Sequence, residues 1–102
     1  MGAVSPVGNT AEESWTNIVE GVSGVGPITL FETGDLLVQI ACEVKGFDPD
    51  DYLGRREARR IDRFQQFGIA AAEQAIEQAG LEVGPEEASR AAVIISSAVG
   101  GM

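Results

Sequence analysis

Histidine is absent from this 102-residue chain, and cysteine occurs once, as Cys42. Without an imidazole, these residues alone cannot assemble a Ser-His-Asp or Cys-His catalytic group or a histidine-ligated metal. One cysteine excludes an internal disulfide and a multi-cysteine zinc site. No apolar run approaches the roughly 18 residues that span a bilayer. No charged start leads into an apolar stretch, so no signal peptide is read. A soluble, cytoplasmic protein with no membrane association is the expectation. Basic residues are also scarce, seven against sixteen acidic ones, for a net charge of −9. That balance argues against binding nucleic acid.

What the chain does contain is apolar material, 44% of its residues, enough for a modest core in at most one domain. Five of its seven basic residues stand close together, as Arg55, Arg56, Arg59, Arg60 and Arg63. Set against Glu57 and Asp62, they leave this short stretch at +3 and the rest of the chain at −12. On one continuous helix, at 100° per residue, they would span an arc of about 140° and make one face basic. Planar guanidinium groups pair well with carboxylates and phosphates. The plainer reading is a solvated face paired with the chain's own acids, which contributes little.

The spacing predicts two helices. Thr10 and Glu13 form a capping-box pattern, Trp15, Ile18, Val19 and Val22 follow on one face, and Gly21 and Gly24 end a helix over 11–20. Asp62 with Gln65 opens a second helix, whose Phe64, Phe67, Gly68, Ala71, Ala72, Ala75, Ile76 and Ala79 recur at three-and-four spacing until Gly80 closes it. A face of alanine and glycine requires a close neighbour. Residues 36–44 (LLVQIACEV) suit a strand, Pro49 opens a helical turn through Tyr52, and residues 86–90 add another turn. Ala91 to Ile95 (AAVII) reads as a strand covered on both faces, as in an α/β sheet. Such a strand needs pairing on both edges, which a single long helix and one strand do not supply. The chain therefore reads as part of something larger.

Other candidates for chemistry are weak. Cys42 lies in an apolar run with no base nearby and is expected to be a buried structural residue. Asp48, Asp50 and Asp51 lack the ligand alternation and final glutamate of a calcium loop. Ser96 and Ser97 have no base partner, and Gly100-Gly101 lacks the lysine and spacing of a phosphate loop. Trp15, Phe64 and Phe67 are expected to pack in a core or an interface.

Read in order, several segments resemble one family. Gly2-Ala3-Val4-Ser5-Pro6-Val7-Gly8-Asn9-Thr10 is similar to the segment after the first strand of β-ketoacyl-acyl-carrier-protein synthases, and Trp15 falls at a tryptophan of their first helix. Gly54-Arg55-Arg56-Glu57-Ala58-Arg59-Arg60-Ile61-Asp62-Arg63-Phe64 is similar to their basic segment, and Ser97-Ala98-Val99-Gly100-Gly101 resembles the loop after the next strand. The likeness covers the whole chain and is nearest to the elongating synthase II branch.

The resemblance implies the α/β class, as an incomplete amino-terminal part (1–102) of a thiolase-like α/β/α/β/α fold. The family's first strand is expected to precede Met1, and everything after its first quarter to lie beyond these residues. The resemblance implies decarboxylative condensation in fatty-acid or polyketide synthesis, with no cofactor, in an enzyme that is a homodimer when whole. The catalytic cysteine and two histidines of the family have no counterparts here, so this chain alone is expected to be inactive. Arg56, Arg59 and Arg60 match positions that meet the acidic helix of acyl carrier protein, with Arg55 and Arg63 beside them and one of these two open to pairing within the fold. Val99 matches an apolar residue of the acyl pocket near the dimer interface, with Gly100 and Gly101 completing that loop. Two other readings stay open: a non-catalytic carrier-binding module, and a chain-length-factor-like homologue without the nucleophile.

Overall fold

The structure is a computed structural model and describes residues 1–101. The chain divides into two compact units, Val4–Phe47 and Met1–Ala3 with Asp48–Met102.

The first unit is built on helix α1, Ala11–Val19. Thr10 caps it, its Oγ1 accepting from the Glu13 N–H at 3.1 Å. The return bond of the predicted capping box goes one residue further back: the Asn9 N–H donates to Glu13 Oε2 at 2.8 Å. At the other end, Gly21 N–H reaches Ile18 O and Val22 N–H reaches Asn17 O, the paired bonds of a Schellman ending.

The buried side of α1 is polar, contrary to the expected apolar face. Ser14 is its buried residue, and its hydroxyl bonds Ser5 Oγ at 2.9 Å and Gly8 O at 3.2 Å. Asn17 Nδ2 donates to Val7 O at 2.6 Å. These bonds fasten the helix to the Ser5–Gly8 turn and leave Trp15, 67% exposed, facing outward together with Ile18, Val19 and Val22.

Strand β1, Gly26–Pro27, pairs antiparallel with β2, Ile40–Ala41, with Gly26 opposite Ala41 and Pro27 opposite Ile40. The strand expected over 36–44 is thus reduced to two residues. Past Pro27, which has no N–H of its own, the Ile28 N–H donates to Gln39 O at 3.0 Å, and a side chain adds to the connection. The Glu43 carboxylate accepts from the N–H groups of Thr29 and Leu30 and from Thr29 Oγ1, the last at 2.8 Å. With a single neighbouring strand and no covering layer among the described residues, Cys42 is exposed, not buried as expected.

The second unit centres on helix α3, Arg63–Ala79, with the short helix α2, Arg55–Ala58, before it and a 3-10 turn at Pro49–Asp51 before that. Gln65 Oε1 accepts from the Asp62 N–H at 2.9 Å at the start of α3, and Gly80 closes it at φ 60°. Gln74 crosslinks the unit, accepting from the Ala3 N–H and donating to Tyr52 Oη at 2.9 Å. The small face of α3 admits a close neighbour as predicted: a Cβ on Gly68 would stand 3.0 Å from two carbons of Ile95. Yet Ala91 to Ile95 forms no strand. No described segment pairs with it, and Ile94 is 91% exposed. A second 3-10 turn, Ala88–Arg90, precedes it. Among the described residues the buried apolar side chains are Ala58 and Ala70 alone.

Candidate functional site

The arginine stretch is two segments, not one helix. Arg55 and Arg56 lie in α2, Arg59 and Arg60 in the turn after it, and Arg63 begins α3. The arc expected of a continuous helix therefore does not form. Gly54 offers α2 no side-chain cap, and four residues make a single turn. Asp62, at φ −72° and ψ 157°, leaves the helical path to start α3 afresh.

Three contacts fix this segment. Gln66 Nε2, on α3, donates to the last carbonyl of α2, Ala58 O, at 2.8 Å. Ala58 is itself buried, which holds the short helix against its neighbours. Arg55 Nε donates to Asp50 Oδ2 at 3.1 Å, tying the start of α2 to the Pro49–Asp51 turn.

The five arginines are consequently unlike one another. Arg55 is paired with Asp50, and the Arg63 guanidinium lies over the Phe67 ring, 4.9 Å from its centroid. The guanidinium groups of Arg56, Arg59 and Arg60 are exposed and have no hydrogen-bond or ion-pair partner among the described residues. Arg59 lines an open depression of about 600 Å³ with Pro49, Asp50, Arg55, Ala58 and Gln66. Arg60 stands at a second, of about 240 Å³, whose other lining residues are Leu53, Glu57, Ile61 and Ile69.

At the end of the described chain, Val99 is exposed and Gly100 turns at φ 75°, its N–H donating to Ser97 Oγ at 2.7 Å. Gly101 then approaches Asp62 so closely that a Cβ would overlap the carboxyl group. The loop thus closes on the residue that caps α3, between Arg60 and Arg63.

The aspartates near Pro49 have structural work. Asp48 Oδ1 accepts from the Asp50 N–H at 2.9 Å, and Asp50 holds Arg55. No group of three His, Cys, Asp or Glu among the described residues is arranged to hold a metal. No described helix is long and apolar enough to cross a membrane.

The model of the β-ketoacyl synthase N-terminal domain matches residues 1–102. The chain belongs to the β-ketoacyl synthase family. Among curated relatives it is 47% identical to 3-oxoacyl-[acyl-carrier-protein] synthase 2 of Vibrio cholerae and 42% identical to that of Staphylococcus aureus, in each case over all 102 residues. It spans 25% of the length of each. A solved structure, the ishigamide ketosynthase/chain length factor, superposes with a TM-score of 0.72 at 34% identity, over 79% of this chain and 20% of that one. A ketosynthase-like fold is thereby supported for the helix and strand order described above.

Two features of this synthase segment were not foreseen from its sequence. One is the polar bracket of Glu43 and Lys45, whose ammonium donates to the carbonyls of Gly24 at 2.8 Å, Glu43 at 3.2 Å and Pro6 at 3.4 Å. Single charged residues in a loop carry no periodic signal. The other is the apolar depression beside Arg60. Its one trace in the sequence is Ile61, an aliphatic residue inside the arginine stretch.

Proposed function

We propose that this chain provides the acyl-carrier-protein docking surface and part of the acyl pocket of a 3-oxoacyl-acyl-carrier-protein synthase. The observation that carries the proposal is that Arg56, Arg59 and Arg60 are exposed and unpaired on a segment held in place by Gln66 and Asp50. Guanidinium groups without internal partners attract an acidic partner at long range and pair with its carboxylates on contact. Docking of this kind delivers a thioester on the carrier's tether to the reacting centre. There, loss of carbon dioxide from malonyl carrier protein generates the carbanion that attacks an enzyme-bound acyl thioester. The nucleophile and its bases come from residues outside this sequence, since it holds no histidine.

Val99, Gly100 and Gly101 form, on the same reading, part of the wall of the acyl pocket near a homodimer interface. A β-branched side chain at 99 takes up volume there and limits acyl length. The test of docking is the affinity of the natively expressed protein that carries this chain for acyl carrier protein. Arg56→Glu with Arg59→Glu should weaken it strongly at low salt; unchanged affinity in a folded protein refutes the docking assignment.

A second reading is a chain-length-factor-like or otherwise non-catalytic carrier-binding subunit. It is favoured by the likeness to a structure described as a ketosynthase/chain length factor. Mass spectrometry after incubation with acyl carrier protein separates the two. Acyl transfer to a protein cysteine supports the enzyme, and binding without transfer supports the subunit.

A further inference from the structure

Two close contacts tie the end of the described chain to α3 and its cap. Ile95 lies against Gly68, where a Cβ would stand 3.0 Å from two of its carbons, and Gly101 lies against Asp62, where a Cβ would overlap the carboxyl group. Asp62 and Gly68 are about 9 Å apart along the helix axis. Residues 95–101, fully extended, would reach about 20 Å. The surplus chain bows out between its two anchors, and Val99, which is exposed, lies in the bow. The bow is shaped from within, since Gly100 turns at φ 75° and its N–H donates to Ser97 Oγ at 2.7 Å. One rigid helix carries both anchors, so the place of Val99 depends on what stands at Gly68 and at Asp62.

We infer that Asp62 is a positioning residue for acyl length: its carboxyl group props Gly101 off the start of α3 and so holds Val99 against the acyl chain. The inference rests on the acyl-pocket reading above and adds the residue that supports the wall. Asp62 and Gly68 occupy one side of the loop, so an acyl chain meets Val99 from the other. Asp62 touches no substrate and acts through the loop. An apolar pocket discriminates by about tenfold or more for each methylene, so a small retreat of Val99 is enough to admit a longer chain. Capping and propping are separable. Asn and Ser cap a helix about as well as Asp, but only Asn fills the volume of the carboxyl group.

The experiment measures elongation of acyl carrier protein substrates of increasing acyl length, as kcat/KM for each, by the natively expressed protein that carries this chain. Asp62→Ser should raise kcat/KM about tenfold for the first length that the wild type rejects, with the melting temperature unchanged, and Asp62→Asn should keep the wild-type profile. Gly101→Ala should move the profile the opposite way. The carboxyl group can swing aside and the Asp62 Cβ cannot, so the loop gives ground away from α3 and the longest accepted chain is lost. Val99→Ala tests the pocket itself. If it extends the accepted length while Asp62→Ser and Gly101→Ala leave the profile unchanged, positioning is overturned and the pocket stands. If Val99→Ala changes nothing, or the wild type elongates nothing, the pocket reading falls and takes the inference with it. A profile for Asp62→Asn that matches Asp62→Ser also overturns the inference, because the prop is the bulk of the group and not its charge. Should Asp62→Ser lower the melting temperature, Gly101→Ala decides: a displaced wall costs the longest chain alone, and a uniform loss over all lengths overturns the inference.

Discussion

Arg55 and Asp50 meet through Nε and Oδ2 at 3.1 Å, and this pairing joins the Pro49–Asp51 turn to the first residue of α2. It separates Arg55 from Arg56, its neighbour in sequence, which has no such partner. The consequence is a ranking within a cluster that composition alone treats as uniform. Arg55→Gln should change carrier affinity by less than about twofold, whereas Arg56→Glu with Arg59→Glu should cost about tenfold or more at low salt, as expected for unpaired charges facing an acidic partner. Titrations of both variants at two salt concentrations check the ranking. Equal losses would show that Asp50 does not occupy Arg55 in solution.

The Glu43 carboxyl is held below its ordinary range, first by the hydrogen bond from the Thr29 side chain and then by the Thr29 backbone, with smaller help from Leu30 and Lys45. A depressed folded value means that the unfolded chain takes up the proton first. The stabilisation is therefore present above the ordinary glutamate range and fades as pH falls through the depressed folded value. Glu43→Gln should be less stable than wild type at neutral pH, and the gap should narrow in acid. Thermal melts of both forms across that range measure it, and a gap independent of pH would mean the carboxylate charge contributes nothing.

Lys45 bonds three carbonyls from separate parts of the first unit. Lys45→Met keeps the stem and removes the donors. The loss should be about 1 kcal/mol, the worth of an ordinary hydrogen bond and below the charged range because the residue is exposed. Hydrogen exchange should quicken around Gly24 and Glu43 and stay unchanged in α3.

Gly101 and Asp62 are too close for any side chain at 101. Gly101→Ala should displace the Asp62 carboxyl from the start of α3 and cost about 1 kcal/mol, the usual worth of a helix cap. Asp62→Ala should cost a similar amount, and the double variant should fall short of the sum. Full additivity in urea denaturation would show that the two positions act independently.

The 102-residue chain by itself should unfold gradually in urea and bind a hydrophobic dye. Its buried apolar side chains, among the described residues, are Ala58 and Ala70, while Trp15, Leu37 and Ile94 are exposed. Two alanines contribute too little apolar area to sustain a sharp transition. A steep two-state curve without dye binding would contradict this.

The two helices were legible because their signals are local. The Asp62–Gln65 start, the three-and-four spacing and the Gly80 stop act within a few residues and fix α3 as Arg63–Ala79. The same locality located α1, yet not its buried side. Trp15 and Ile18 promise a core face, and the hydroxyl of Ser14 and the amide of Asn17 turn the helix the other way by bonding the Ser5–Gly8 turn.

Strands were the least legible, since a ladder depends on a partner distant in sequence. The apolar run to Ile95 has the composition of a covered strand and finds no partner among the described residues, and the expected strand around Cys42 shrinks to Ile40–Ala41. The sequence by itself determined the family likeness, the concentration of positive charge at 55–63 and the absence of a histidine catalyst. Only the tertiary structure decided which arginines are free. Pairing with Asp50 and stacking on Phe67 depend on where α2 and α3 begin, and a break in the helix at Asp62 re-aims every side chain after it.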